Sequence, residues 1–204
     1  MRVIGGRSSL SVVSIASFLM MACGEPVAPP VVLSFTCDPA SGPDPNEAQQ
    51  AVLDSVPQRG MWSHDDEWAD VARQVPGGWG GFTTKNGHPA MYLVDTTKFS
   101  EAVAALRETD LFGHQDYSGY SVRRGLWDFA QLYDWKRYIV LHGVWPDGIM
   151  SATINEGANR LVYGVHPEKA HGVEEFFTSL HLPCDLVVLE RDFPIVDVQR
   201  VLSP

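Results

Sequence analysis

His114, Asp116, Ser118 and Ser121 place an imidazole, a carboxylate and two hydroxyls in one short stretch. These are the types that nucleophilic hydrolysis needs: a hydroxyl that attacks, an imidazole that takes its proton, and a carboxylate that orients the ring. A spacing this tight more commonly marks a solvated loop, and the Gly-x-Ser-x-Gly nucleophile elbow is absent. An envelope hydrolase built on this His/Asp/Ser loop is therefore the alternative reading, and no catalytic residue is assigned. His64-Asp65-Asp66-Glu67 sets a histidine beside three carboxylates. Adjacent helical residues point around the axis and cannot all face one ion, whereas acids suit a first helical turn. His166, His171 and His181 lack the i, i+4 spacing of a zinc helix and make at most a loose site. Pro76-Gly77-Gly78-Trp79-Gly80-Gly81 leads into a strand, not into the helix that a phosphate-cradling loop requires, so it reads as a flexible turn. No metal or cofactor site is expected from these residues.

Met20-Met21-Ala22-Cys23 carries chemistry of another kind. Arg2 and Arg7 supply a positive start, Leu10 to Met21 are apolar with interspersed serines, and Ala22 is the small residue a signal peptidase requires before its cut. The arrangement resembles the bacterial lipoprotein signal. That resemblance implies removal of residues 1–22, diacylation of the Cys23 thiol and acylation of the new amino terminus with chains such as palmitate. Each buried methylene contributes roughly 0.8 kcal/mol, so two or three acyl chains hold a protein at a membrane without a spanning helix. The expected location is the cell envelope, at the outer membrane or the outer face of the cytoplasmic membrane. Residues 23–43 begin with Gly24-Glu25-Pro26-Val27-Ala28-Pro29-Pro30 and read as a Pro-rich tether.

Charge narrows the partners. The chain carries a formal net charge of −10, and loss of residues 1–22 removes Arg2 and Arg7 but no acid, leaving −12. No Lys/Arg-rich block follows the leader, so nucleic acid is not an expected partner. An acidic surface does not adsorb to anionic lipid, which leaves the amino-terminal lipid as the membrane attachment. With Cys23 assigned to lipid, Cys37 and Cys184 remain. In an exported chain they are expected to pair, with two buried thiols as the alternative.

The elements that must position these residues are readable in outline. Asp44-Pro45-Asn46-Glu47 suggests an N-cap, a proline at N1 and an acid at N3, opening a helix that runs to about Val56. Ser63 opens a second helix with Trp68, Val71, Ala72 and Val75 inward; together these make an N-terminal helical segment over residues 44–75. Strands at Gly80–Thr84 and Ala90–Val94 flank Lys85-Asn86-Gly87-His88, a strong hairpin signal. A helix capped by Thr96 or Thr97 and a short strand at Tyr120–Arg123 complete a first unit over residues 76–125. Residues 126–204 hold a long helix over 126–141, its apolar face interrupted by Lys136. Strands at Ile149–Ile154 and Leu161–Val165 follow, then a helix opened by Pro167, a last strand at Leu186–Glu190 and a C-terminal tail. The repeated order of hairpin, helix and strand predicts an α+β fold of two ββαβ-like units, with antiparallel sheet and helices packed on one face. Six tryptophans are many for this length. Trp62, Trp68, Trp79, Trp127 and Trp135 are expected mainly in the core, and Trp145, ahead of a Pro-Asp-Gly turn, is the one expected at the surface.

Two segments carry a family resemblance. Asp128-Phe129-Ala130-Gln131-Leu132-Tyr133-Asp134-Trp135-Lys136 and Thr153-Ile154-Asn155-Glu156-Gly157-Ala158-Asn159-Arg160-Leu161-Val162-Tyr163-Gly164-Val165 resemble uncharacterised secreted and lipoprotein domains of bacteria. The second is also similar to the small α/β prodomain units of secreted bacterial serine proteases. The resemblance spans residues 76–192 and implies a non-enzymatic binding module. Its partner would be an envelope protein such as a protease, which it would inhibit or help to fold; with the chain ending at Pro204, that role is expected in trans. Within the second segment Asn155, Gly157 and Asn159 suit turn conformations, and Arg160 could pair with Glu156 or bond loop carbonyls, so a structural role is expected for all four. The residues from Phe193 to Leu202 are the expected place for a partner to add a strand.

Overall fold

Helix caps set the frame of the computed structural model, which describes residues 33–56, 63–110, 112–142 and 145–191. Helix α1 (Glu47–Asp54) opens at Asn46, whose side chain accepts from Gln49 N while the Gln49 side chain accepts from Asn46 N. This reciprocal box lies two residues beyond the cap expected at Asp44, because the Asp44 carboxylate accepts a bond from Gln131 Nε2 at 3.0 Å instead. Helix α2 (Ser63–Gln74) carries Asp65 and Asp66 in its first turn. Strands β1 (Gly81–Lys85) and β2 (His88–Leu93) form the expected antiparallel hairpin, with Asn86 and Gly87 both at positive φ as a tight Asn-Gly turn requires. A short 3-10 turn over Thr96–Lys98 is capped by Asp95, not by either threonine, and leads into α3 (Phe99–Arg107).

The same sequence of elements then recurs. Strand β3 (Ser121–Arg124) closes the first unit, and α4 (Phe129–Leu141) opens the second under a capping box between Asp128 and Gln131. Strands β4 (Ile149–Asn155) and β5 (Arg160–Val165) make the second hairpin. A 3-10 turn over Pro167–Lys169, α5 (Ala170–Ser179) and β6 (Val187–Arg191) complete it. The fold class is α+β, with two three-stranded sheets ordered β1-β2-β3 and β4-β5-β6. Each hairpin is antiparallel, while the third strand joins parallel to the second, which makes both sheets mixed. A helix separates the second and third strands in each unit and supplies the crossover that a parallel pair requires.

One buried cluster spans both units, from Trp79, Met91 and Leu93 to Tyr163, Val173 and Phe177. Trp79 stacks on Phe129 at 5.1 Å and meets Trp68 edge-on at 5.9 Å, so the first turn of α4 sits against the first unit. Trp145, expected at the surface, is half-buried with its ring 6.1 Å from Tyr163. Trp62 lies outside the described residues.

The Pro-rich tether expected to extend to residue 43 has already become part of the body by Leu33. Ser34 N donates to Glu174 Oε1 at 2.8 Å, Phe35 packs on Phe177 at 5.5 Å, and Asp38 N donates to Leu182 O at 2.8 Å. Trp135 Nε1 donates to Pro43 O at 2.9 Å, seating the segment on α4 as well. Cys37 and Cys184 form a disulfide across 147 residues of sequence. Closing so long a loop constrains the unfolded chain far more than the folded one. The Cys37→Ser, Cys184→Ser double variant is expected to lose about 2 to 5 kcal/mol in urea unfolding, and a reducing agent should bring the wild type to the same midpoint. An unchanged midpoint in either arm would show that the bridge adds nothing.

Candidate functional site

The turn Asn155–Arg160, singled out for structural work, sits where the two units meet. Asn159 has φ +53 and is only 4% exposed. A non-glycine residue seldom adopts this conformation, and asparagine does so more readily than most. Its side-chain oxygen accepts from Leu126 N at 2.7 Å and Trp127 N at 3.0 Å. Its side-chain nitrogen donates to Gly80 O at 3.0 Å and Trp127 O at 2.8 Å. All four hydrogen-bonding positions of the amide are thus occupied by main chain from outside its own hairpin. Close approach explains two glycines: a Cβ on Gly80 would lie 2.2 Å from Trp127 O, and one on Gly125 would lie 2.9 Å from Asn159 Oδ1.

The rest of the turn reinforces the joint. Phe82 N donates to Glu156 Oε2 at 2.8 Å, which ties β1 to the second unit. Asn155 Oδ1 accepts from Ala158 N at 3.0 Å and closes the turn, and Gly157 O accepts from Tyr92 Oη at 3.4 Å. Of the two roles open to Arg160, the structure has the loop-carbonyl one: it donates to Asp185 O and lies 3.6 Å from the Asp185 carboxylate. The Gly-rich stretch 76–81, expected to be a flexible turn, is held on both sides. Gly77 N donates to Asp128 Oδ2 at 2.9 Å, Gly80 N donates to Tyr92 O, and Phe129 N donates to Trp79 O.

Among the described residues no three metal-ligating side chains converge. Asp65 and Asp66 of His64-Asp65-Asp66-Glu67 face α4 instead. Asp65 pairs with Lys136 Nζ at 2.7 Å, Asp66 accepts from the Tyr133 hydroxyl, and Arg73 binds Asp134 at 2.7 Å. Lys136, the interruption in the apolar face of α4, is the buried cation that answers Asp65. Arg137 is fully buried next to it and donates to Leu53 O and Val56 O at the end of α1. Arg73 and Arg137 stand 5.5 and 5.8 Å from the centre of the Tyr133 ring. Burial, together with the Asp66 carboxylate that accepts its proton, pushes the Tyr133 hydroxyl well above the ordinary phenol range.

The remaining candidates are dispersed. Ser118 donates from both N and Oγ directly to Asp116, at 2.9 and 3.0 Å, with no imidazole between them. These bonds hold the Asp116 carboxyl below its usual range. His114 is exposed, and Ser121 Oγ reaches Pro89 O at 3.4 Å. His166 caps the 3-10 turn over Pro167–Lys169, His171 lies 3.2 Å from Glu175 on the exposed face of α5, and His181 is exposed at φ +51. Sequence reasoning missed Asp128, which caps α4 and also bonds the glycine turn. Its place three residues before Gln131 and directly before an apolar helix was the available signal. Cys23 and residues 193–202 lie outside the described residues. No family model matches the chain, and no curated protein is similar to it.

Two tests follow from the joint. Asn159→Ala should cost about 3 to 5 kcal/mol in urea unfolding, because it leaves buried N–H and C=O groups unpaired. Asn159→Gly should recover about 1 kcal/mol of that by relieving the left-handed backbone. Equal stability of Asn159→Ala and wild type would show that the amide does not hold the units together. Burial raises the Glu156 carboxyl above its ordinary value of 4.5, and only the Phe82 N–H opposes the shift. A raised carboxyl binds its proton more tightly in the folded state, so ionisation weakens the fold above the folded value and acid relieves the penalty. Glu156→Gln keeps an acceptor for Phe82 N and removes the charge. Its melting temperature relative to wild type should be highest near pH 7, and the gap should narrow as pH falls toward about 4.5. A gap independent of pH would exclude a raised Glu156.

Proposed function

We propose that the chain is a lipid-anchored protein of the bacterial cell envelope whose α/β body binds another protein without catalysis, as a protease prosegment acting in trans would. One observation carries the reading. The segment similar to protease prodomains, Thr153–Val165, forms most of a hairpin whose turn is bolted to the other unit through Asn159 and Glu156. Asp65, Asp66, Glu156 and Asn159 are engaged in joining elements. What such a body offers a partner is a fixed surface and the ends of two sheets. Rigid sheet edges are a recurrent means of capturing extended segments of other proteins.

The lipid reading rests on Met20-Met21-Ala22-Cys23. No described helix is long and apolar enough to cross a membrane. Between Cys23 and Leu33 the chain can extend at most about 35 Å, so acyl chains on Cys23 would keep the body close to the bilayer surface.

Intact mass should give a mature protein beginning at Cys23 and carrying a diacylglycerol group, and Cys23→Ala should move it from the membrane to the soluble fraction. An unmodified cysteine, or a variant that stays with the membrane, would rule out the anchor. For the prosegment reading, the immobilised protein should retain from envelope extract a serine hydrolase that a fluorophosphonate probe labels. Adding the soluble protein should reduce that labelling. Retention of no labelled hydrolase would overturn it.

A further inference from the structure

The four strands that end the two sheets are not equivalent. On β1, Phe82 N is bonded by Glu156 from the second unit, and the β4–β5 pairing is irregular between Ile149 and Ser151. Strand β6 ends on Glu190 and Arg191. Strand β3 pairs with β2 alone among the described residues, and none of them hydrogen-bonds the main chain of Ser121, Val122, Arg123 or Arg124 on its other side. Val122, in the middle of this strand, is 37% exposed.

The charge on this edge runs against that of the molecule. In a chain of net charge −10, β3 carries Arg123 and Arg124 side by side. The cations that form ion pairs among the described residues are Arg73, Lys136, Arg160, Lys169 and His171, and neither arginine of β3 is among them. The Asp95 carboxylate, whose negative charge Arg124 favours, already accepts from Thr97 N and Oγ1 at 3.0 and 2.7 Å. Arg123 is opposite Tyr92 and Arg124 opposite Leu93, so the two side chains leave opposite faces of the sheet. Arg123 Nε is shielded from solvent and has no hydrogen-bond partner among the described residues. With Nε out of reach, a partner carboxylate would meet Arg123 at its terminal guanidinium nitrogens.

We infer that the open edge of β3 takes an extended acidic segment of a partner protein as a fourth strand, with carboxylates on two consecutive partner residues binding Arg123 and Arg124. Main-chain bonds along the edge hold the segment, and Val122 meets an apolar side chain of the partner. Consecutive acids are required because consecutive strand residues point to opposite faces, as the two arginines do. This rests on the reading of the body as a protein-binding module and names the edge and the partner's chemistry.

The test uses the full chain and a fluorescent eight-residue peptide of threonine and valine with two adjacent glutamates at its centre, beside a counterpart with two glutamines. Saturable anisotropy is expected with the glutamate peptide and binding about tenfold weaker with the glutamine peptide. About 0.5 M salt should erase most of the difference. Arg123→Gln and Arg124→Gln should each weaken glutamate-peptide binding about tenfold while leaving the thermal melt in place. Amide exchange should slow at residues 121–124 when the peptide is bound. Failure of the glutamate peptide to bind, equal binding of the two peptides, full binding by the double variant, or protection at another edge would each overturn the assignment. Self-association of the double variant without peptide binding would also overturn it and would make the arginines guards against edge pairing. A captured hydrolase whose retention survives the double variant refutes this edge and leaves the proposed function standing. Peptide binding with no captured partner does the reverse.

Discussion

The amide of Asn159 is the point on which the arrangement of the two units depends. Four main-chain groups from the residues just before β1 and just before α4, three of them in fully buried bonds, converge on one side chain, each within 3.0 Å. Buried peptide groups without partners are costly, so the turn and the linker can be desolvated together only if such an amide lies between them. Few other side chains could take its place. Aspartate accepts but cannot donate to Gly80 O and Trp127 O, and glutamine is longer and less suited to a left-handed backbone. The same contact fixes where α4 begins, since Trp127 and Asp128 must be in place before the helix can be capped.

A second joint is electrostatic and ties the N-terminal helical segment to the second unit, where α2 meets α4. Asp65, Asp66 and Arg73 on one helix meet Lys136, Tyr133 and Asp134 on the other. Partly buried ion pairs of this kind contribute little net stability, but breaking one strands the more buried charge, Lys136 above all, which makes them good keys for register. Apolar contact alone would let two helices slide. Opposed charges at fixed heights permit one alignment, and that alignment brings Trp68 beside Trp79 and Phe129.

The parts of this fold that were legible in the sequence are those governed by neighbours along the chain. The Asn86-Gly87 turn, the two hairpins and the helix opened by Pro167 depend on residues within a few positions of each other, and their chemistry is local. Pairing of Cys37 with Cys184 was legible for a different reason: once Cys23 is set aside, only two cysteines remain. The turn residues Asn155, Gly157, Asn159 and Arg160 were legible as structural, but the object of their work was not. Asn159 binds residues 32 to 79 positions away, and Asp65 meets a lysine 71 positions on. No periodicity encodes a distance of that kind. The cap of α1 was misplaced for the same reason, since Asp44 is claimed by Gln131, 87 positions later.

The Cys37–Cys184 bridge turns nearly the whole described body into a covalent ring. A chain end gripped and pulled by a translocating or degrading machine normally feeds through as a single strand. Here traction on the amino-terminal side passes through Cys37 to the loop just before β6, so the first element to feel it is the last strand of the fold. Beyond that point, anything that threads this protein must admit two strands abreast or first reduce the bond. Resistance of the folded body to processive unfolding is thus a matter of topology, separate from how strongly its core holds.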